Sequence, residues 1–167
     1  MAITPSSLAL PSIMFRLSIA FTVLAAAACA SAQLLGGTFL LKHNSTNKYL
    51  TEEDIGNPMT MLIKSNTRNQ KWKVDLATPI VPTTFQSDVS SNYVAYTAIG
   101  DGEFVKTGVD RKKYTLVPKN SGFYVIRLGE DRNLCLGVST LYNPPLCRQE
   151  ECEDGDISQL WKLENPN

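Results

Sequence analysis

The sequence predicts an all-β fold of about twelve short strands, built as three pseudo-repeats of one four-stranded unit. Three observations lead there. Beyond the first 32 residues, apolar runs are short and rich in Val, Ile, Thr, Phe and Tyr, broken by Gly, Asn, Asp and Pro, and none sustains a 3.6-residue period. An aromatic anchor recurs: "IKSNTRNQKWKV" from Ile63 lies without gaps over "VKTGVDRKKYTL" from Val105, placing Trp72 over Tyr114, and a third copy ends at Trp161. Each repeat also opens with a Phe-led strand and continues with an Asn-headed one. Three four-stranded units are too few to close a propeller, which needs at least about four blades. Closing threefold around one shared core is the remaining economical arrangement, a β-trefoil.

In chain order, the first segment is a leader. "MFRLSIAFTVLAAAACASAQ" carries Arg16, an apolar stretch from about Ile19 to Ala28 and the small tripeptide Ala30-Ser31-Ala32. This predicts a secretory signal peptide over 1–32, cleaved after Ala32, and hence an extracellular protein. Met14 is an alternative start. The apolar run falls short of the roughly 20 residues of a membrane span, and no later segment approaches that length.

The mature domain, 33–167, is long enough for one core that buries roughly two-thirds of the unfolded-chain surface. Its first unit reads "GTFLLKHN" around Phe39, "NKYLT", a hairpin, then "NQKWKV". The second reads "TTFQSDVS" around Phe85, "NYVAYT", a hairpin and "KKYTL". The third reads "SGFYVIRLG" around Phe123, "NLCLGV", a longer hairpin through "RQEECEDGDI" and "SQLWKL". The anchors Trp72, Tyr114 and Trp161 and the leading phenylalanines are expected to converge on the core, each aromatic burying on the order of 150–250 Å². Gln70 and Gln159, two residues before a Trp, are expected to hold a neighbouring hairpin by their amides.

Charge is balanced, with 16 basic and 16 acidic residues, which gives no pull toward a polyanion such as nucleic acid. Cys29 lies in the leader, leaving Cys135, Cys147 and Cys152. Three cysteines in an exported chain allow at most one internal bridge and leave a thiol over.

The stretch "NLCLGVSTLYNPPLCRQEECEDGDISQLW" resembles a ricin B-chain-type lectin repeat, with its Cys-Leu strand, second cysteine in a turn and Gln-x-Trp close. The likeness is good over Asn133 to Leu163 and loose over the rest of the mature chain. It implies a β-trefoil lectin with a glycan or extracellular glycoprotein as partner. It also implies a Cys135–Cys152 bridge with Cys147 free, against a Cys147–Cys152 bridge as the alternative. In that family a carboxylate follows the Cys-Leu pair, an amide precedes the Gln, and an aromatic face precedes the second cysteine. Here the three positions are Gly137, Ser158 and Glu150 in the third repeat; in the first, Thr51 stands at the carboxylate position and Asn69 at the amide. The second repeat carries Lys112 in place of the Gln. The implied sugar pocket is therefore degenerate, with Thr51, Asn69, Gln70, Tyr142, Ser158 and Gln159 as its candidate residues and the first repeat as the best equipped.

The opening "GGTFLLKHNSTNKYL" is similar to fungal β-trefoil protease inhibitors, which act through loops. That resemblance implies a protease as the alternative partner, met by loops around Arg68, Arg111 or "LYNPPL". Catalysis has little to stand on: His43 is the only histidine, and no Ser or Cys has a base and orienter in pattern. The acidic run Glu150, Glu151, Glu153, Asp154, Asp156 matches no calcium-loop spacing, so no metal is expected. Nothing calls for a cofactor, and a monomer is expected. Asn44-Ser45-Thr46 is an N-glycosylation sequon.

Overall fold

The computed structural model describes residues 35–77 and 81–166; the expected leader lies outside them. The described strands belong to one compact unit, Leu34–Asn167. There are twelve of them, four to each repeat. The first repeat holds β1 (Leu35–His43), β2 (Tyr49–Thr51), β3 (Thr60–Leu62) and β4 (Lys71–Ala77). The second holds β5 (Phe85–Ser87), β6 (Tyr93–Ala95), β7 (Lys106–Gly108) and β8 (Tyr114–Pro118). The third holds β9 (Tyr124–Leu128), β10 (Leu134–Ser139), β11 (Leu146–Glu151) and β12 (Leu160–Glu164).

The first and last strands of each repeat form the barrel wall. β4 pairs with β1 and β5, β9 with β8 and β12, and β12 closes back on β1, all antiparallel. The Thr83–Tyr114 bridge joins the second repeat to itself and completes the ring. The middle strands make three hairpins, β2–β3, β6–β7 and β10–β11, which cap one end. At the pseudo-threefold axis the hairpins share a cycle of backbone hydrogen bonds: Met59 N–H to Val105 O (2.8 Å), Val105 N–H to Cys147 O (3.1 Å) and Cys147 N–H to Met59 O (2.9 Å). This is the strand arrangement of a β-trefoil.

The three anchors occupy one structural position. Trp72, Tyr114 and Trp161 are fully buried. Each hands its polar hydrogen to the carbonyl of the second repeat strand: Trp72 Nε1–H to Leu50 O at 3.1 Å, Tyr114 O–H to Val94 O at 3.2 Å and Trp161 Nε1–H to Leu136 O at 2.8 Å. A buried indole or phenol needs such a partner, which is why a Tyr can replace a Trp here but a Phe would leave a carbonyl unpaired.

Two details of the sequence alignment are corrected. The axial cycle makes Met59, not Ile63, the counterpart of Val105; Ile63 is 76% exposed while Val105 is buried. The first repeat therefore carries four extra residues between hairpin and anchor, which a gapless alignment cannot place. The leading phenylalanines are not equivalent either. Register sets Phe85 opposite Val74, Leu41 opposite Leu163 and Ile126 opposite Leu116, so Leu41, Phe85 and Ile126 share the core position. Phe39 is buried two residues earlier, and Phe123 falls in the opposite strand phase and is only partly buried.

Candidate functional site

The Gln-x-Trp glutamines are clasps. Gln70 Nε2–H donates to Ile63 O (2.8 Å) and its Oε1 accepts from Ser65 N–H (2.9 Å). Gln159 repeats the pair on Glu151 O (2.6 Å) and Glu153 N–H (3.0 Å). Both side chains are buried, and each ties the strand leaving the cap hairpin to the short 3-10 turn that opens the last strand. In the second repeat Lys112 instead reaches Glu130 at 2.9 Å. Gln149 of the third repeat holds a different segment, the loop between β6 and β7, by its Nε2–H to Ala98 O (2.8 Å) and Gly100 N–H to Gln149 Oε1 (3.3 Å).

In the first repeat the candidate polar groups are used inside the protein. Thr51 is buried; its hydroxyl donates to Tyr49 O (2.9 Å) and accepts from Gln70 Nε2–H (3.1 Å). Asn69 Nδ2–H donates to Glu52 O (3.1 Å) while its Oδ1 accepts from the Thr67 hydroxyl (2.5 Å). The neighbouring Glu52 carboxylate is buried as well and receives the hydroxyls of Ser87 and Ser90.

The third repeat differs. β10 and β11 pair with Cys135 opposite Glu150 and Gly137 opposite Arg148. A side chain at Gly137 would overlap the Glu150 carboxylate, so Glu150 fills the space where a carboxylate from that position would stand. Arg148 Nε–H holds Glu150 Oε1 at 2.8 Å, and the Glu150 side chain is only 13% exposed. Around it lies a polar groove of about 270 Å³, whose lining includes Asp101, Arg148, Glu150, Asp156, Ser158 and Gln159. Ser158 is fixed by Asp156: its N–H and hydroxyl donate to the two carboxylate oxygens at 2.7 and 2.6 Å. Asp101 comes from the second repeat, whose segment 101–104 runs along β11 through Gly102 N–H to Gln149 O (2.8 Å) and a Phe104–Arg148 bridge.

Of the candidate residues, the structure thus gathers Ser158 and Gln159 around one groove and leaves Thr51, Asn69 and Gln70 around another hairpin. Tyr142 stands apart, past the Ser139–Leu146 end of the β10–β11 hairpin, edge-on to Phe104 at 5.4 Å and 47% exposed. In the sequence Glu150 stands at the position of the missing aromatic and in an acidic run, and neither reading singles it out as a sugar contact. Its placement over Gly137 depends on cross-strand register, and the sequence signal for it is a glycine at the acid position facing a strand with a glutamate.

The disulfide joins Cys135 to Cys152, and Cys147 is a free, buried thiol whose pKa burial pushes far up. His43 is buried beside the Trp161 ring, at 5.0 Å between centroids. Its Nε2–H donates to Ser158 O, and Nδ1 lies 3.0 Å from the Thr46 hydroxyl. Burial holds its pKa below the usual 6.5, against the opposing pull of that carbonyl and of Asp156. Asn44 begins the turn between β1 and β2, with its N–H on Leu160 O at 2.9 Å. Among the loop candidates, Arg68 pairs with Asp88 and Arg111 with Asp75, both at 3.1 Å, while Leu141 projects at 88% exposure. Among the described residues, no group of three His, Cys, Asp or Glu side chains is arranged to hold a metal ion.

No protein-family model matches the chain, and no curated protein matches it in sequence. Solved structures do match. The Rhizoctonia solani agglutinin is 22% identical, with a TM-score of 0.69 over 80% of this chain and 97% of that one. The Macrolepiota procera ricin B-like lectin, solved in complex with lactose, is 15% identical, with a TM-score of 0.70 over 80% of this chain and 99% of that one. The designed threefold symmetric protein ThreeFoil is 20% identical, with a TM-score of 0.67 over 77% of this chain and 98% of that one. The chain is accordingly a β-trefoil, with lectins among its structural neighbours and almost their whole length matched.

Proposed function

We propose that the protein is an exported, monomeric carbohydrate-binding β-trefoil whose sugar site is the groove of the third repeat. The observation that carries this is the Glu150 carboxylate, poised over Gly137 and braced by Arg148. A carboxylate accepts two hydroxyl hydrogen bonds at once, and these charge-assisted bonds are stronger than neutral ones. Ser158 and Asp156 add further polar groups at the groove. Lectins among the structural neighbours, one of them holding lactose, support the reading. The groove has no aromatic floor among its lining residues, so affinity per site is weak, near the millimolar range that corresponds to about −4 kcal/mol.

A glycan array followed by titration of the retained sugar tests the proposal. Glu150→Gln removes the charge but keeps the shape, and at least about a tenfold loss of affinity is expected. Retention unaffected by Glu150→Gln would remove this groove as the site. In the first repeat Asn69→Ala is expected to leave retention unchanged, because its amide is already engaged at both ends.

The protruding Leu141 favours a second reading, a protease inhibitor acting through the 140–145 loop. An empty array together with protease inhibition abolished by Leu141→Asp would select it. On either reading Asn44 is proposed as an N-glycan site.

A further inference from the structure

A second cavity of the third repeat, of about 490 Å³, is lined by Arg127, Asp131, Arg132, Asn133, Glu151 and Cys152 among others. It adjoins the groove, since Glu151 lines both. Its arginines are unlike the rest. Arg68, Arg111 and Arg148 each have a carboxylate oxygen within 3.1 Å. Arg127 and Arg132 make no ion pair among the described residues, and both face this one cavity. The Nε–H of Arg127 is buried without a hydrogen-bond partner.

An unmet buried donor on a charged group is costly to leave, and the guanidinium fork is shaped to take a carboxylate through two parallel hydrogen bonds. Asp131 and Glu151 lie in the same cavity, so its formal charge is balanced. They repel a dianion such as phosphate, yet they and Asn133 suit the hydroxyls that surround a carboxylate on a sugar ring. Asn133 N–H donates to Asp131 Oδ1 at 2.9 Å, which holds the 131–133 turn at the cavity.

We propose that this cavity is a subsite for a carboxylate-bearing sugar, a hexuronate, continuing the groove in which Glu150 meets the adjoining residue. The inference rests on that groove being the sugar site. It makes the protein selective for acidic over neutral saccharides.

The test titrates the protein with digalacturonic acid, with its neutral methyl ester, and with acetate and sulfate as free anions. The acid is expected to bind at least about tenfold more tightly than the ester, one good charge-assisted contact being worth about that factor. Arg127→Gln and Arg132→Gln are each expected to erase the difference while leaving ester binding intact. Arg132 is exposed, so should Arg127→Gln fail to fold, Arg132→Gln alone decides. Equal binding of acid and ester, or a preference that survives both substitutions, overturns the subsite and leaves the groove standing. Acetate or sulfate binding as tightly as the acid overturns the sugar assignment in favour of a bare anion site. Failure of every saccharide, neutral ones on the array included, overturns the subsite together with the groove.

Discussion

His43 occupies the position that Ser87 and Leu128 hold in the other repeats, opposite Trp161 in register. A basic ring at a buried barrel position is accommodated because it is neutral and hydrogen-bonded, Nε2–H to Ser158 O and Nδ1 beside the Thr46 hydroxyl. Burial lowers its pKa, so the folded state resists protonation while the unfolded chain takes it up at the ordinary value of 6.5. The sign follows: the stabilising contribution is full above pH 6.5 and is lost as pH falls from there to the lower folded value. Denaturant unfolding between pH 7.5 and 5 should show falling stability, and His43→Asn should flatten that slope. A slope unchanged in the variant would assign it to carboxylates instead.

The clasp is the element on which the third-repeat groove hangs. Gln159 ties β11 and its outgoing loop to the turn carrying Ser158, and Asp156 caps that turn through the Ser158 N–H. Gln159→Ala would strand Glu151 C=O and Glu153 N–H and should cost about 2 kcal/mol. Lys112→Ala, at the same place in the second repeat, removes a partly exposed ion pair with Glu130 and a cation–π contact with the Tyr96 ring at 4.8 Å, strands no backbone group, and should cost about 1 kcal/mol. Chemical denaturation of the two variants measures the contrast; equal losses would mean the second repeat leans on Lys112 as heavily as the third on Gln159. The clasps were legible in the sequence because a glutamine at fixed distance before a buried aromatic can serve little else. The engagement of Asn69 and Thr51 was not legible: their hydrogen bonds run to Glu52, Thr67, Tyr49 and Gln70, partners that only the folded hairpin brings near.

At the scale of the whole molecule, the three repeats close one barrel, and the disulfide ties β10 to the loop after β11 within the third. The Cys135–Cys152 bridge spans a separation of 17 residues. Such a loop contributes roughly 3 kcal/mol by the chain-entropy relation. Cys135→Ala with Cys152→Ala should therefore lower Tm by on the order of 10 °C. Cooperative unfolding should persist, because the core of Trp72, Tyr114, Trp161 and their neighbours does not run through the bridge. Calorimetry of the double variant checks it; loss of any cooperative transition would show that the third repeat cannot form unbridged. Cys147 sits in the axial hydrogen-bond cycle and is fully buried, so its thiol should react with a disulfide reagent only at the rate of unfolding.

The sequence by itself determined the three-repeat trefoil, the burial of Trp72, Tyr114 and Trp161 and the strand content, because these follow from periodicity, turn chemistry and the size of aromatic side chains. Cysteine spacing joined to a family resemblance pointed to Cys135 and Cys152. Tertiary structure alone decided that the third repeat's polar groups line a groove, that Glu150 takes the space above Gly137, and that Arg127 and Arg132 share a cavity. Each of these depends on cross-strand register or on contact between distant segments. A shift of one residue in such pairing turns a side chain from core to groove, and composition and spacing do not register that shift.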